Sequence, residues 1–200
     1  MKKFLMVLML LTMLILGACS SNNDVSTSEL PVLNMAGSFS IDVHDLTQIV
    51  GDADYVFVAK VLDEVETLYK DTVTIETSQG PKEVSDPYTK YKITVVDNIK
   101  GNIKKNTEFE ILKAGGISED HKSIVLYEED QLFQTGKYYI MAAYAQPDGS
   151  LLVSGPNSSL ALNETSKDKI VSSEEYKEYK KALENEFKSD RKRFKSIHEE

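Results

Sequence analysis

Tryptophan is absent, histidine occurs three times and cysteine once in 200 residues. Each shortage removes a class of chemistry. One cysteine cannot close an intrachain disulfide, so the folded part must hold through its own core. His44, His121 and His198 lie far apart, and none stands in an H-E-x-x-H or similar spacing, so no zinc signature exists. No G-x-S-x-G turn is present, nor G-x-G-x-x-G, nor G-x-x-x-x-G-K-S/T. That leaves no motif for serine hydrolysis, dinucleotides or nucleoside triphosphates. Basic residues are outnumbered, 23 against 32 acidic ones. Nucleic-acid binding depends on Lys and Arg meeting phosphates, so a nucleic-acid partner is disfavoured. The segment 172–200 carries eight residues of each sign, so the acidic excess lies upstream of it.

Long apolar runs are also missing, except at the start. Lys2 and Lys3 precede Phe4–Leu16, a run of thirteen residues that is apolar throughout except at Thr12. As a helix it spans about 20 Å, short for a bilayer core of about 30 Å. Length and flanks fit the hydrophobic part of a secretory signal peptide. The run exits through Leu16-Gly17-Ala18-Cys19. This resembles the lipobox of bacterial lipoproteins: a Leu, two small residues and a Cys. The resemblance implies that residues 1–18 are removed and that the Cys19 sulfur takes a diacylglyceryl group. The new amino terminus is N-acylated in many members. The expected partner is thus the membrane, through a lipid anchor on its extracytoplasmic face. Two acyl chains hold a protein stably where one holds only marginally.

Residues 19–38 are rich in Ser and Asn and lack apolar periodicity, as in a flexible tether. Residues 39–165 are expected to form the β domain. Val43–Val50 has helical spacing, with Asp42 placed to cap it and Gly51 to end it. Tyr55–Val65, Thr72–Thr77, Tyr88–Ile99, Thr107–Lys113, Ser123–Tyr127, Lys137–Ala145 and Leu151–Ser154 have strand composition. Tyr91, Ile93 and Val95 share one face, as do Phe109 and Ile111. SQGPKEVSDP reads as turn material, Gly115-Gly116 as a bend, and Pro147-Asp148-Gly149 as a hairpin turn.

Residues 166–200 are expected to form a long C-terminal amphipathic helix. Ser172 and Glu175 fit a capping box. Tyr176, Tyr179, Leu183, Phe187, Phe194 and Ile197 recur at steps of three and four, with a gap near Asp190. Acidic residues at its start and basic ones near its end suit the helix dipole. The stripe suits packing on the β domain, a coiled-coil seam with a protein partner, or a basic end lying on anionic lipid.

From Asp52 to Pro156 the segments DADYVFVAKV, YKITVVDNIKG, EFEILKAGG, LFQTGKYYIMAAY and DGSLLVSGP follow in order. This order resembles small secreted or lipid-anchored proteins of Gram-positive bacteria. It is also similar to the OB-type barrel of the netrin and metalloproteinase-inhibitor class. The resemblance implies a mainly β fold: a small OB-like barrel of five strands or slightly more, with a short N-terminal helix and the long C-terminal one. It does not carry that class's inhibition mechanism. Those inhibitors use a free amino-terminal Cys, and here Cys19 takes lipid.

Several clusters remain to be weighed. Asp42, Asp45, Asp52 and Asp54 suit a calcium site or, more plainly, a helix cap and a turn. Glu128-Glu129-Asp130 suits a solvated loop or a carboxylate pair. Tyr88, Tyr91, Tyr138 and Tyr139 suit a ligand-binding face or core filling. The reading that follows is a non-enzymatic, lipid-anchored extracytoplasmic protein. It presents its barrel face or C-terminal helix to an envelope protein, a peptide or an ion. No catalytic, metal or cofactor-binding residue is assigned. The alternative is a cell-envelope hydrolase using a carboxylate pair. A two-lobed solute receptor needs a larger chain.

Overall fold

The computed structural model describes residues 30–200. Cys19, the signal peptide and most of the tether lie outside the described residues. The protein is mainly β. In chain order the elements are β1 (Val32–Met35), α1 (Leu46–Asp52), β2 (Tyr55–Thr77), β3 (Gly80–Lys100), β4 (Glu108–Ala114), β5 (Gly116–Ile117), β6 (Ile124–Tyr127), β7 (Tyr138–Ala145), β8 (Leu151–Val153), β9 (Ser159–Leu162), α2 (Lys167–Ser172) and α3 (Glu174–Glu184).

Nine strands in two sheets correct the expectation of a five-stranded barrel. The larger sheet runs β2-β3-β4-β8-β7-β9, and a further pairing of β2 with β7 closes it on itself. All its contacts are antiparallel except β4 with β8, which run parallel through Leu112 and Lys113. The smaller sheet, β1-β6-β5, lies outside the ring. Its strand β1 consists of four residues expected in the tether, and it pairs in parallel with β6.

Period-two alternation serves two cores at once. Tyr55, Phe57, Ala59 and Val61 of β2 point into the ring, where they meet Tyr91, Ile93, Val95, Tyr139, Met141 and Ala143. Val56 and Val58 point outward and are covered, with Ile140 and Ala142, by α1, α2 and α3 through Ile49, Val50, Ile170, Tyr176, Tyr179 and Ala182. This explains the unbroken apolar runs YVFVA and YIMAA: both strand faces are buried.

β2 and β3 outrun the ring. The register Lys70↔Asp86 to Thr77↔Gly80 has no third strand, and residues 70–77 are all exposed. The two strands form a projecting arm turned by Ser78-Gln79. The expected turn SQGPKEVSDP shrinks to those two residues, because the rest finds cross-strand partners. Five register shifts along the pair mark bulges, which let a long ribbon curve.

The C-terminal expectation also needs correction. α3 spans only eleven residues, and Ser173, not Ser172, caps it through the Tyr176 N–H at 3.2 Å. Past Asn185 the chain becomes an extended strap across the ring. Its backbone finds better partners than its own helix offers. Phe187 N–H donates to Thr47 O at 3.1 Å, Ile197 N–H to Gly149 O at 3.0 Å, and Glu200 N–H to Asn102 O at 2.9 Å. Phe194 packs against the ring core. Likewise α1 starts three residues later than expected: Asp45, not Asp42, caps it through Thr47 N–H at 2.9 Å. Gly51 lies inside α1 rather than ending it.

Candidate functional site

Where the arm leaves the ring, a cleft of about 510 Å³ opens. β2 contributes Leu68 and, at the base of the arm, Lys70; β3 contributes Lys90, and β4 contributes the stretch Phe109–Leu112. The β7–β8 turn contributes Asp148 and Ser150, and the strap closes the far side with Ile197 and His198. Its lining is mixed, with leucine and isoleucine side chains between charged ones. β4 meets β8 only at Leu112 and Lys113, so residues 108–111 have no strand on that side.

The charged groups around the cleft are ordered. Lys90 Nζ lies 2.6 Å from Glu66 and 3.5 Å from Glu110. The Glu66 hydrogen bond is the main cause that raises the Lys90 pKa above 10.5. Lys70 sits over the Tyr88 ring at 5.4 Å. Asp148 accepts from Ser150 N–H and Oγ, which holds its carboxyl below the usual range. The His198 ring stacks on Phe109 at 4.0 Å and 17°. Burial, and secondarily Lys104, lowers its pKa from 6.5, so the stacked ring is neutral at pH 7.

The sequence-derived candidates fall elsewhere. Tyr91 and Tyr139 fill the ring, both touching Phe133 at 5.1 and 4.9 Å between centroids. Tyr88 donates to Asp71 on the arm at 3.1 Å, and burial pushes its hydroxyl up to about 12. Tyr138 lies outside the ring under Lys60. The four tyrosines thus form no common face. Asp42 accepts from His44 N–H, and Asp45 caps α1. Asp52 and Asp54 do come together, but onto cations of the strap. Arg191 Nη2 is 2.6 Å and Arg193 Nη1 3.0 Å from Asp54, and Arg191 Nε is 3.4 Å from Asp52.

Glu128 and Glu129 are exposed, with His44 3.9 Å from Glu129. Asp130 turns inward to Lys113. His121 lies in the exposed turn before β6. Among the described residues no group of three or more His, Cys, Asp or Glu is placed to hold a metal ion. None of their helices is long and apolar enough to cross a membrane.

Sequence reasoning missed two features. One is the strap wall, Ile197 and His198, which the helical spacing places on a C-terminal helix. The other is Lys113. The alternation that sends Phe109 and Ile111 inward sends Lys113 inward too, and that signal was present in EFEILK. No protein-family model matches the chain, and no curated protein is similar to it at a significant level.

Proposed function

We propose that the protein is a non-enzymatic binding module, held by lipid on Cys19 at the extracytoplasmic face of the cell membrane. Its ring is an OB-type barrel. The pairing circuit β2-β3-β4-β8-β7-β2, with one parallel contact between the third and last of its members in chain order, supports this. OB-type barrels bind on the face of their second and third strands, between the first hairpin loop and the last. Here those positions are β3 and β4, the arm, and the β7–β8 turn.

The observation that carries the reading is the cleft at that junction. It combines apolar area with flanking charges and a stretch of β4, residues 108–111, with no strand partner on one edge, features that suit a polypeptide segment of an envelope protein. The lipobox-like Leu16-Gly17-Ala18-Cys19 supports the location.

The test is crosslinking in intact cells with the double variant Leu68→Glu, Leu112→Glu. Both side chains are half-buried at the cleft and belong to neither core cluster. The expected result is loss of the specific crosslinked species while the circular dichroism spectrum stays unchanged. An unchanged set of crosslinked species from a folded variant contradicts the assignment.

A further inference from the structure

One buried pair plays no part in the cleft. Lys113 Nζ lies 2.7 Å from Asp130 Oδ1 and 2.5 Å from Oδ2, and the two side chains are 0% and 2% exposed. Lys113 comes from β4 and Asp130 from the loop after β6. Phe133, whose ring centre is 5.9 Å from Nζ, packs over the amine and joins the ring core. Gln131 N–H donates to Asp130 Oδ1 at 2.8 Å, and the polar neighbour on the amine's side is Ser158. Its Oγ is 3.4 Å from Nζ, and its own proton is committed to Gly155 O at 2.6 Å, which leaves a lone pair facing the amine.

A buried ammonium–carboxylate pair is a costly arrangement, because both ions lose water. Burial pulls the Lys113 pKa down, while Asp130 works in the opposite direction. Moving one proton across the hydrogen bond gives a neutral amine and a neutral acid, the forms that a dry interior favours. Those are also the forms that react. Nζ is held against both carboxyl oxygens, so no encounter entropy opposes bond formation; rotation about Cβ–Cγ of Asp130 turns the face of Cγ toward the amine.

We propose that Lys113 and Asp130 condense into an intramolecular amide, a covalent cross-link between β4 and the loop after β6. The balance is simple. After proton transfer, the Nζ lone pair attacks Cγ of Asp130 and forms the C–N bond. A second proton passes from nitrogen to a carboxyl oxygen, the C–O bond breaks, and one water leaves. Ser158 Oγ accepts a hydrogen bond from the nitrogen through the step. Neither oxidant nor co-reactant is required. The product replaces two buried charges by one neutral amide. The link would supply a covalent tie between segments 17 residues apart in a chain that has no second cysteine.

The test is mass spectrometry of a tryptic digest of the full-length protein, denatured after purification. The expected species is a branched peptide joining the Lys113 and Asp130 segments, lighter by one water than their sum, with no cleavage after Lys113. In Lys113→Arg and Asp130→Ala the branched species disappears. Two linear peptides at their sequence masses in the wild type overturn the proposal. So does a linear Asp130 peptide short of one water, which is a cyclic imide at Asp130-Gln131. The wild-type digest decides even if a variant fails to fold.

Discussion

At Gly51 two opposing effects of a single methyl group can be weighed. In an open helix, Gly→Ala gains about 0.5–1 kcal/mol from backbone entropy and propensity. Here a β-carbon would stand 2.2 Å from the Phe187 carbonyl oxygen. The atom struck is backbone, and Phe187 N–H is itself bound to Thr47 O, so it cannot swing away. Overpacking of this kind costs about 1–3 kcal/mol, which exceeds the helix gain. Gly51→Ala is therefore expected to lower the unfolding free energy by about 1–2 kcal/mol, read as a shifted urea midpoint at unchanged slope. A raised midpoint would mean that the strap does not lie against α1.

At the scale of elements, the strap and α1 explain each other. A helix of seven residues ends with unsatisfied carbonyls and a negative dipole end. Cations from elsewhere in the chain cover them. Lys100 Nζ donates to Val50 O at 2.7 Å and Gly51 O at 3.1 Å. Arg193 donates to Gly51 O at 2.6 Å, Asp52 O at 3.1 Å and Ala53 O at 2.9 Å, and Arg191 Nε donates to Asp52 O at 2.9 Å. Hydrogen bonds to charged groups contribute about 1.5–3 kcal/mol, discounted here because Arg193 is about one-third exposed. Arg193→Ala should destabilise by about 1–2 kcal/mol, and Arg193→Lys should recover little of it, since a point charge cannot span three carbonyls. Equal urea midpoints for wild type and Arg193→Ala would refute this cap.

The same elements show what the sequence made legible and what it did not. Strands buried on one or both faces declared themselves through β-branched and alternating residues, as in Tyr91, Ile93 and Val95. β1 and β9 are short and largely exposed, so they carry no such signal. The tail misled for a physical reason. Phe187, Phe194 and Ile197 fall at helical spacing, but the strap's backbone N–H groups are drawn out of a helix by distant acceptors: Phe187 by Thr47, Ser196 by Tyr55 and Ile197 by Gly149. Those partners lie about 50 to 140 residues away, beyond any local window. The cleft was invisible for the same reason: its walls come from five separated segments that only closure of the ring brings together.

For the whole molecule, ring closure places the base of the projecting arm, the edge of β4 that β8 leaves unpaired, the β7–β8 turn and the strap around one cleft. The two cores make the ring a rigid base, and the arm, with residues 70–77 exposed, lies outside both. The proposed recognition therefore falls at the arm's junction with the ring rather than on the helical side, where α1, α2 and α3 cover β2 and β7. A photoreactive amino acid placed in living cells at Leu112, on the cleft, or at Lys181, exposed on α3, compares these two sides directly. The account predicts a discrete protein adduct from position 112 and none from position 181. Adducts of equal yield from both positions, or from 181 alone, would contradict it.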